Sequence, residues 1–206
     1  MISILVKGGP VMVPLILASV FGLAIVFERW LVIRRVYRLN MESFSKVVYK
    51  QILDKKINEA LTTCRQSSSY PLPAMFASAL ENKDLPRQEL EKMLERMGNH
   101  YVKELERRLG GLLTIIGIAP LTGFFGTITG LIRAFMAWEK AGNDITVSAL
   151  ATGIYEAMIT TATGLMIAIP LYICYNFFIS RIKYFAHELD DYSGQLLEVL
   201  SRGRVL

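Results

Sequence analysis

Three long stretches of this sequence are nearly free of charge, and a globular water-soluble fold does not gather its apolar residues in that way. The first, Val11 to Phe27, is seventeen residues without a charged side chain. The second runs from Leu109 to Ala137 and carries one charge, Arg133. The third runs from Val147 to Ser180 and also carries one, Glu156. A helix crosses the hydrocarbon of a bilayer with about 20 apolar residues. Gly8-Gly9-Pro10 and Leu31-Val32-Ile33 lengthen the first stretch to that size. The expected fold is therefore all-α and integral to a membrane, with three transmembrane helices and long cytoplasmic helical extensions. Of the 206 residues 52% are hydrophobic and 20% charged, which excludes a disordered chain and a small soluble enzyme.

Basic residues set the expected orientation. Only Lys7 precedes the first stretch, while Arg29, Arg34, Arg35 and Arg38 follow it, so it reads as an anchor rather than a cleaved signal peptide. Residues 28–109 hold sixteen of the 23 Lys+Arg, and the tail from Ile179 holds four more. Positive residues accumulate on the cytoplasmic side, which places the N-terminus in the periplasm and the C-terminus in the cytoplasm. The divisions are a first transmembrane helix with its short lead (1–33), a cytoplasmic helical loop (34–108), a second span (109–137), a short periplasmic loop (138–148), a third span (149–180) and an amphipathic cytoplasmic tail helix (181–206). The mild basicity is a topology signal. Nucleic-acid binding would need basic residues gathered on one face, and those of the loop are mixed with eleven acids.

Within the loop, Ser67–Pro73 and Asn82–Pro86 break the helical pattern. Leu90, Leu94, Met97, Tyr101 and Leu105 recur at helical spacing up to Gly110-Gly111, with Glu104 and Arg108 as an i,i+4 pair. In the tail, Phe178, Ile182, Phe185, Leu189, Tyr192, Leu196 and Val199 repeat at 4-3 spacing, which suits helices packing on one another or on a neighbouring subunit. Cys64 and Cys174 are far apart, with only His100 and His187 to join them. That gives no metal site, no disulfide framework and no expected cofactor. No phosphate loop or nucleophile–base set is present, so enzymatic chemistry is not expected.

Glu156 is the residue to explain, because a carboxylate within a membrane span costs several kcal/mol and marks function by default. On a helix of 100° per residue, Thr152, Gly153, Glu156, Ala157, Thr160, Thr161, Thr163, Gly164 and Ala168 share one arc. Ile154, Met158, Ile159, Leu165, Met166 and Ile169 occupy the other, as for lipid. In the second span Ala119, Gly123, Gly126, Thr127, Gly130 and Ala134 share one side, and Gly126–Gly130 is a GxxxG pair that lets helix backbones approach closely. Two plainer readings stand beside the functional one. Small residues with threonine in membrane helices most often mean tight packing alone, and Glu156 is merely interfacial if Ala149–Tyr155 lie outside the apolar core. In the functional reading the carboxylate takes up a proton on one side and gives it up on the other, beside threonine-held water. Each proton crossing supplies about 2.3 kcal/mol per 100 mV.

The runs Pro120-Leu-Thr-Gly-Phe-Phe-Gly-Thr-Ile-Thr-Gly-Leu-Ile132 and Gly153-Ile-Tyr-Glu-Ala-Met-Ile-Thr-Thr-Ala-Thr-Gly-Leu-Met-Ile-Ala-Ile-Pro170, with Tyr175-Asn176, resemble the signature of the MotA/TolQ/ExbB proton-channel family. Three spans and this length look more like ExbB or TolQ than MotA. The resemblance implies a ring-shaped homo-oligomer, usually a pentamer, in the bacterial inner membrane. The ring would surround an ExbD/TolR-like dimer of single-span proteins and work with a TonB/TolA-like protein. It implies a ring subunit of a motor driven by the proton motive force, energising envelope work such as TonB-dependent outer-membrane transport. By motif position it makes Thr127, Glu156 and Thr161 ion-pathway residues. Thr160, with Thr129 and Thr163, adds hydroxyls, and those extra oxygens keep sodium open as the coupling ion. The small residues Gly123, Gly126, Gly130 and Gly164 are then helix-packing positions. The alternatives are a TolQ-like envelope-integrity subunit, a gliding or flagellar stator subunit, a subunit of a proton-coupled solute transporter, and a purely structural scaffold.

Overall fold

The computed structural model describes residues 8–141 and 147–205, with side chains from 8 to 140 and from 151 to 202. All seven elements among them are helices: α1 Met12–Val36, α2 Met41–Leu53, α3 Ile57–Gln66, α4 Pro71–Glu81, α5 Arg87–Glu106, α6 Leu109–Ala141 and α7 Val147–Val205. Three of them, α1, α6 and α7, are long and apolar enough to cross a membrane. The chain forms two compact units. One comprises the chain up to Glu28 with Arg108–Phe177, and the other comprises Arg29–Arg107 with the chain from Phe178 onward.

The first unit holds the apolar helical segments. Val13, Val20, Phe21, Leu23 and Phe27 of α1, Leu121, Phe124 and Phe125 of α6, and Met158 and Met166 of α7 are all more than half exposed. So much outward apolar surface is unfavourable in water and ordinary against acyl chains. The buried residues are fewer and smaller. Met12, Leu15 and Ala119 form a cluster with Ile159 and Ile167 packed against it. Ile159 therefore faces protein, not the lipid side expected for it: it sits against Met12 and Leu15 of α1, while the rest of its arc stays exposed. Further along α1, a methyl on Gly22 would lie 2.5 Å from a Leu171 methyl, so glycine is what lets the two helices close there.

The second unit is a compact helical body with an ordinary core. Asn40 caps α2 by accepting a hydrogen bond from the Ser43 amide at 3.0 Å. Pro71, expected within a break, instead opens α4 at a position whose amide needs no helical partner. Nearly all of α4 is buried, with Leu72, Met75, Phe76 and Leu80 at 3% exposure or less. Tyr49 stacks on Phe76 with ring centroids 5.8 Å apart. Two tyrosines donate to carbonyls of α7, Tyr37 to Arg181 at 2.7 Å and Tyr49 to Tyr192 at 2.7 Å, and burial pushes the Tyr49 phenol above its ordinary range. On α7 the inward line is Phe178, Ile182, Phe185, Leu189 and Leu196, as the 4-3 spacing predicts. The helix runs on through residue 180 without a break.

Burial pushes the Cys64 thiol up to about 12. At pH 8 it is almost wholly protonated and enclosed, so it is expected to resist maleimide until the fold is unfolded in detergent and urea. Labelling of Cys64 at the rate of a free thiol in the native protein would contradict this packing.

The end of α5 differs from the expected helical run to Gly110-Gly111. The helix stops at Glu106, Arg107 is extended (φ −51°, ψ 135°), and Arg108 takes a left-handed φ of 69°. Arg108 consequently pairs with Glu28 at 2.5 Å rather than with Glu104. Arg29, only 5% exposed, donates from Nη1 to the Glu104 carbonyl at 3.2 Å and the Leu105 carbonyl at 3.4 Å. These are end-of-helix acceptors; the Glu104 carbonyl also takes the Arg107 amide at 3.4 Å, and the guanidinium adds a stop that the local sequence lacks. Arg29→Met is expected to cost about 1–3 kcal/mol of local stability, read as faster tryptic cleavage after Arg107. An unchanged cleavage rate would remove Arg29 from this role.

Candidate ion-pathway site

The α6 and α7 helices meet in antiparallel fashion along the small-residue faces that the sequence marks out. From one end to the other, Ala119 and Gly123 face Gly164, Gly126 faces Thr160, Gly130 faces Ala157, and Ala134 faces Gly153. The approach is backbone to backbone. A methyl at Gly123 would sit 2.7 Å from the Thr160 carbonyl oxygen, and one at Gly164 would sit 2.5 Å from that of Ala119. Main-chain atoms cannot rotate away as a side chain can, so these two positions admit only hydrogen. At Gly126 the clash would be with the Thr160 side chain, nearest at 2.6 Å, and at Gly130 a methyl would be tight against the Ala157 methyl at 3.2 Å and the Ala157 amide and Gly153 carbonyl at 3.3 Å.

Two of the five expected ion-pathway residues bridge this seam. Thr127 of α6 donates to the Ala157 carbonyl at 3.0 Å, Thr161 of α7 donates to the Gly123 carbonyl at 3.2 Å, and the two hydroxyls also meet one another. Each hydroxyl has one proton to give. The pair can therefore run in two directions, Thr127 to Thr161 to Gly123, or Thr161 to Thr127 to the Ala157 or (at 3.4 Å) the Gly123 carbonyl. Passing between them reverses the direction of the chain. The other two threonines are spent within α7: Thr160, 1% exposed, donates to Ala157 at 2.8 Å, and Thr163 donates to Ile159 at 2.8 Å. Thr129 similarly bonds back to Phe125 and Gly126 of α6. Thr152, at the end of the arc, is exposed.

Glu156 lies one turn of α7 before Thr160. Its side chain is 19% exposed, and Oε1 accepts a hydrogen bond from Arg133 Nη2 of α6 at 2.6 Å. Arg133 Nε donates to the Thr129 carbonyl at 3.3 Å, and its side chain is 48% exposed, so one end of the ion pair is wet. Gly9, with a left-handed φ of 68°, closes the other side. A methyl there would overlap the Glu156 carboxylate and come within 3.4 Å of Arg133 Nη2.

Arg133 and Gly9 were not among the site residues read from the sequence, where Arg133 counted only as the one charge of the second stretch. The signal for the arginine was present: the only two charges of the second and third stretches are of opposite sign, and charges within a membrane pair with one another. For Gly9 the Gly-Gly-Pro run marks a tight turn but gives no hint of what lies beside it.

Comparison with known proteins carries the assignment further. The sequence profile described as the MotA/TolQ/ExbB proton channel family matches residues 67–191, more than half of the chain. The biopolymer transport protein ExbB of Salmonella typhimurium is 31% identical over 210 aligned positions, covering 93% of this chain and 81% of that protein. The Tol-Pal system protein TolQ of Haemophilus influenzae is 32% identical over 124 residues, covering 59% of this chain and about half (54%) of that protein. The biopolymer transport protein ExbB of Pseudomonas putida is 35% identical over 109 residues, covering 53% of this chain and 33% of that protein. With three helices fit to span a bilayer, a threonine-bridged seam and a paired carboxylate within it, the chain belongs to the MotA/TolQ/ExbB proton channel family and is a membrane protein.

Proposed function

We propose that this chain is the ring subunit of a motor in the bacterial inner membrane, driven by the proton motive force. The N-terminus lies in the periplasm, the C-terminus in the cytoplasm, and several copies, five in the favoured form, surround a single-span ExbD/TolR-like dimer. The observation that carries the reading is Glu156: a carboxylate in a span, 19% exposed, held by Arg133 one turn from the Thr127–Thr161 hydroxyl pair. A carboxylate of this kind binds and releases a proton as its surroundings hydrate. The reversible hydroxyl pair passes a proton without a change of backbone, and Thr160 and Thr163 keep the neighbouring turns of α7 regular. Proton transfer then displaces the partner held in the ring, and a TonB- or TolA-like protein takes the work to the envelope. Similar identity to ExbB and TolQ chains supports the motor activity that uptake and envelope-integrity systems would share.

The test is co-expression with an ExbD/TolR-like single-span protein, reconstitution into liposomes and measurement of ion uptake under an imposed potential. Acidification of the lumen that does not depend on sodium is expected. Flux that requires sodium would transfer the coupling to that ion. A complex that carries no ion and binds no single-span partner would leave only a scaffold.

A further inference from the structure

A groove of about 500 Å³ opens in the second unit between α5 and the C-terminal part of α7, with Met75 of α4 also lining it. Gly98 faces it from α5 and Gly194 from α7. Glycine is the poorest helix former after proline, and in a helix interior it usually answers a packing need. Among the described residues none supplies that need. A methyl on Gly194 would meet no atom within 4 Å, and one on Gly98 would meet only the Met75 methyl at 3.6 Å. A second observation is independent of the glycines. Ser193 lines the same groove, is 6% exposed, and its hydroxyl has no hydrogen-bond partner among the described residues, whereas buried hydroxyls are normally satisfied. The groove is also acidic: Glu91, Glu95 and Asp190 stand against Lys183 and His187.

The same unit carries a strip of matching character. The α2 helix turns Ser43, Lys46, Val47, Lys50 and Leu53 outward, with Val47 50% and Leu53 57% exposed. Apolar contacts flanked by lysines complement a groove edged by carboxylates. The lengths agree as well. At 1.5 Å per residue the strip from Ser43 to Leu53 measures about 15 Å, and the α5 wall from Glu91 to Val102 about 16 Å.

We propose that α2 of a second copy of this chain docks its Val47–Lys50–Leu53 strip into the α5–α7 groove of its neighbour. The two surfaces differ, so the contact is head to tail and is repeated by every copy, closing on itself when the rotation allows. The inference rests on the self-association proposed above, but not on the number of copies or the ion.

The test uses the full chain in its membrane. Val47→Cys and Gly194→Cys are made singly and together and exposed to a thiol oxidant, the single variants showing any background from Cys64 and Cys174. A ladder of dimers and higher bands is expected from the double variant, at least tenfold stronger than from either single one. Gly194→Leu, whose side chain enters open space within the chain, is expected to keep the wild-type melting temperature of the solubilised protomer while lowering the oligomer fraction at least tenfold. A normal oligomer on a native gel with no ladder would overturn the docking and leave the ring standing. A single-copy chain throughout would overturn both. A cross-link from Gly194→Cys to a different protein would overturn the choice of a second copy as occupant.

Discussion

Glu156→Gln is expected to reduce ion-driven flux to the background of protein-free vesicles while the chain still inserts, accumulates and associates. The substitution keeps the shape and the hydrogen-bonding reach of the side chain and removes only its ability to bind and release a proton. Arg133 loses its counter-charge but does not become a buried orphan, because its side chain is 48% exposed and a half-wet guanidinium keeps its hydration. A paired variant separates structure from transport. Exchanging the charges, Arg133→Glu with Glu156→Arg, restores an ion pair across the two helices but moves the carboxylate to α6. Assembly should stay normal in that variant and flux should remain lost. Full flux in Glu156→Gln would show the ion pair to be a structural clasp and the ion route to lie elsewhere.

The second large effect is expected at Gly123 and Gly164. Alanine at either position drives a methyl into a carbonyl oxygen of the opposite helix, at 2.7 and 2.5 Å respectively. Overpacking of this kind costs about 1–3 kcal/mol, and leucine more. As the helices part, the Thr127–Thr161 contact breaks with them, so transport and stability fall together. Gly110 and Gly117 on the same helix are the controls, since a methyl at either meets nothing within 4 Å. Thermal unfolding in detergent and the amount of chain in the membrane read the difference. Leucine variants at positions 123 and 164 that melt like those at 110 and 117 would refute the close seam.

Much of this arrangement was legible before any coordinates because lipid simplifies the pattern. Bulky residues turn outward and small ones inward, so the glycines of α6 and the Gly153–Ala157–Thr160–Gly164 line of α7 declared their shared face by period alone. The tail stripe from Phe178 to Leu196 was legible for the ordinary reason that one side of a helix is wet. What periodicity cannot supply is the register between two helices. Arg133 and Glu156 meet only because α6 and α7 slide into the alignment that brings Gly123 to Thr160, and nothing local to either residue states that alignment. Ile159 was misplaced for a related cause, since it meets α1, far away in sequence, while the rest of its arc stays exposed. The break at Arg107-Arg108 was hidden because those residues are good helix formers, and the helix is ended by a guanidinium more than seventy positions upstream.

The nearness of α6 to α7 also limits how such a machine can move. With only hydrogen atoms, a few methyls and threonine side chains separating the main chains over this stretch, there is no cushion of long flexible side chains to absorb sliding or rolling. A shift of an ångström would drive carbonyl into Cα. The two segments must therefore travel as one plank, and any larger movement has to be taken up at the plank's outer edges.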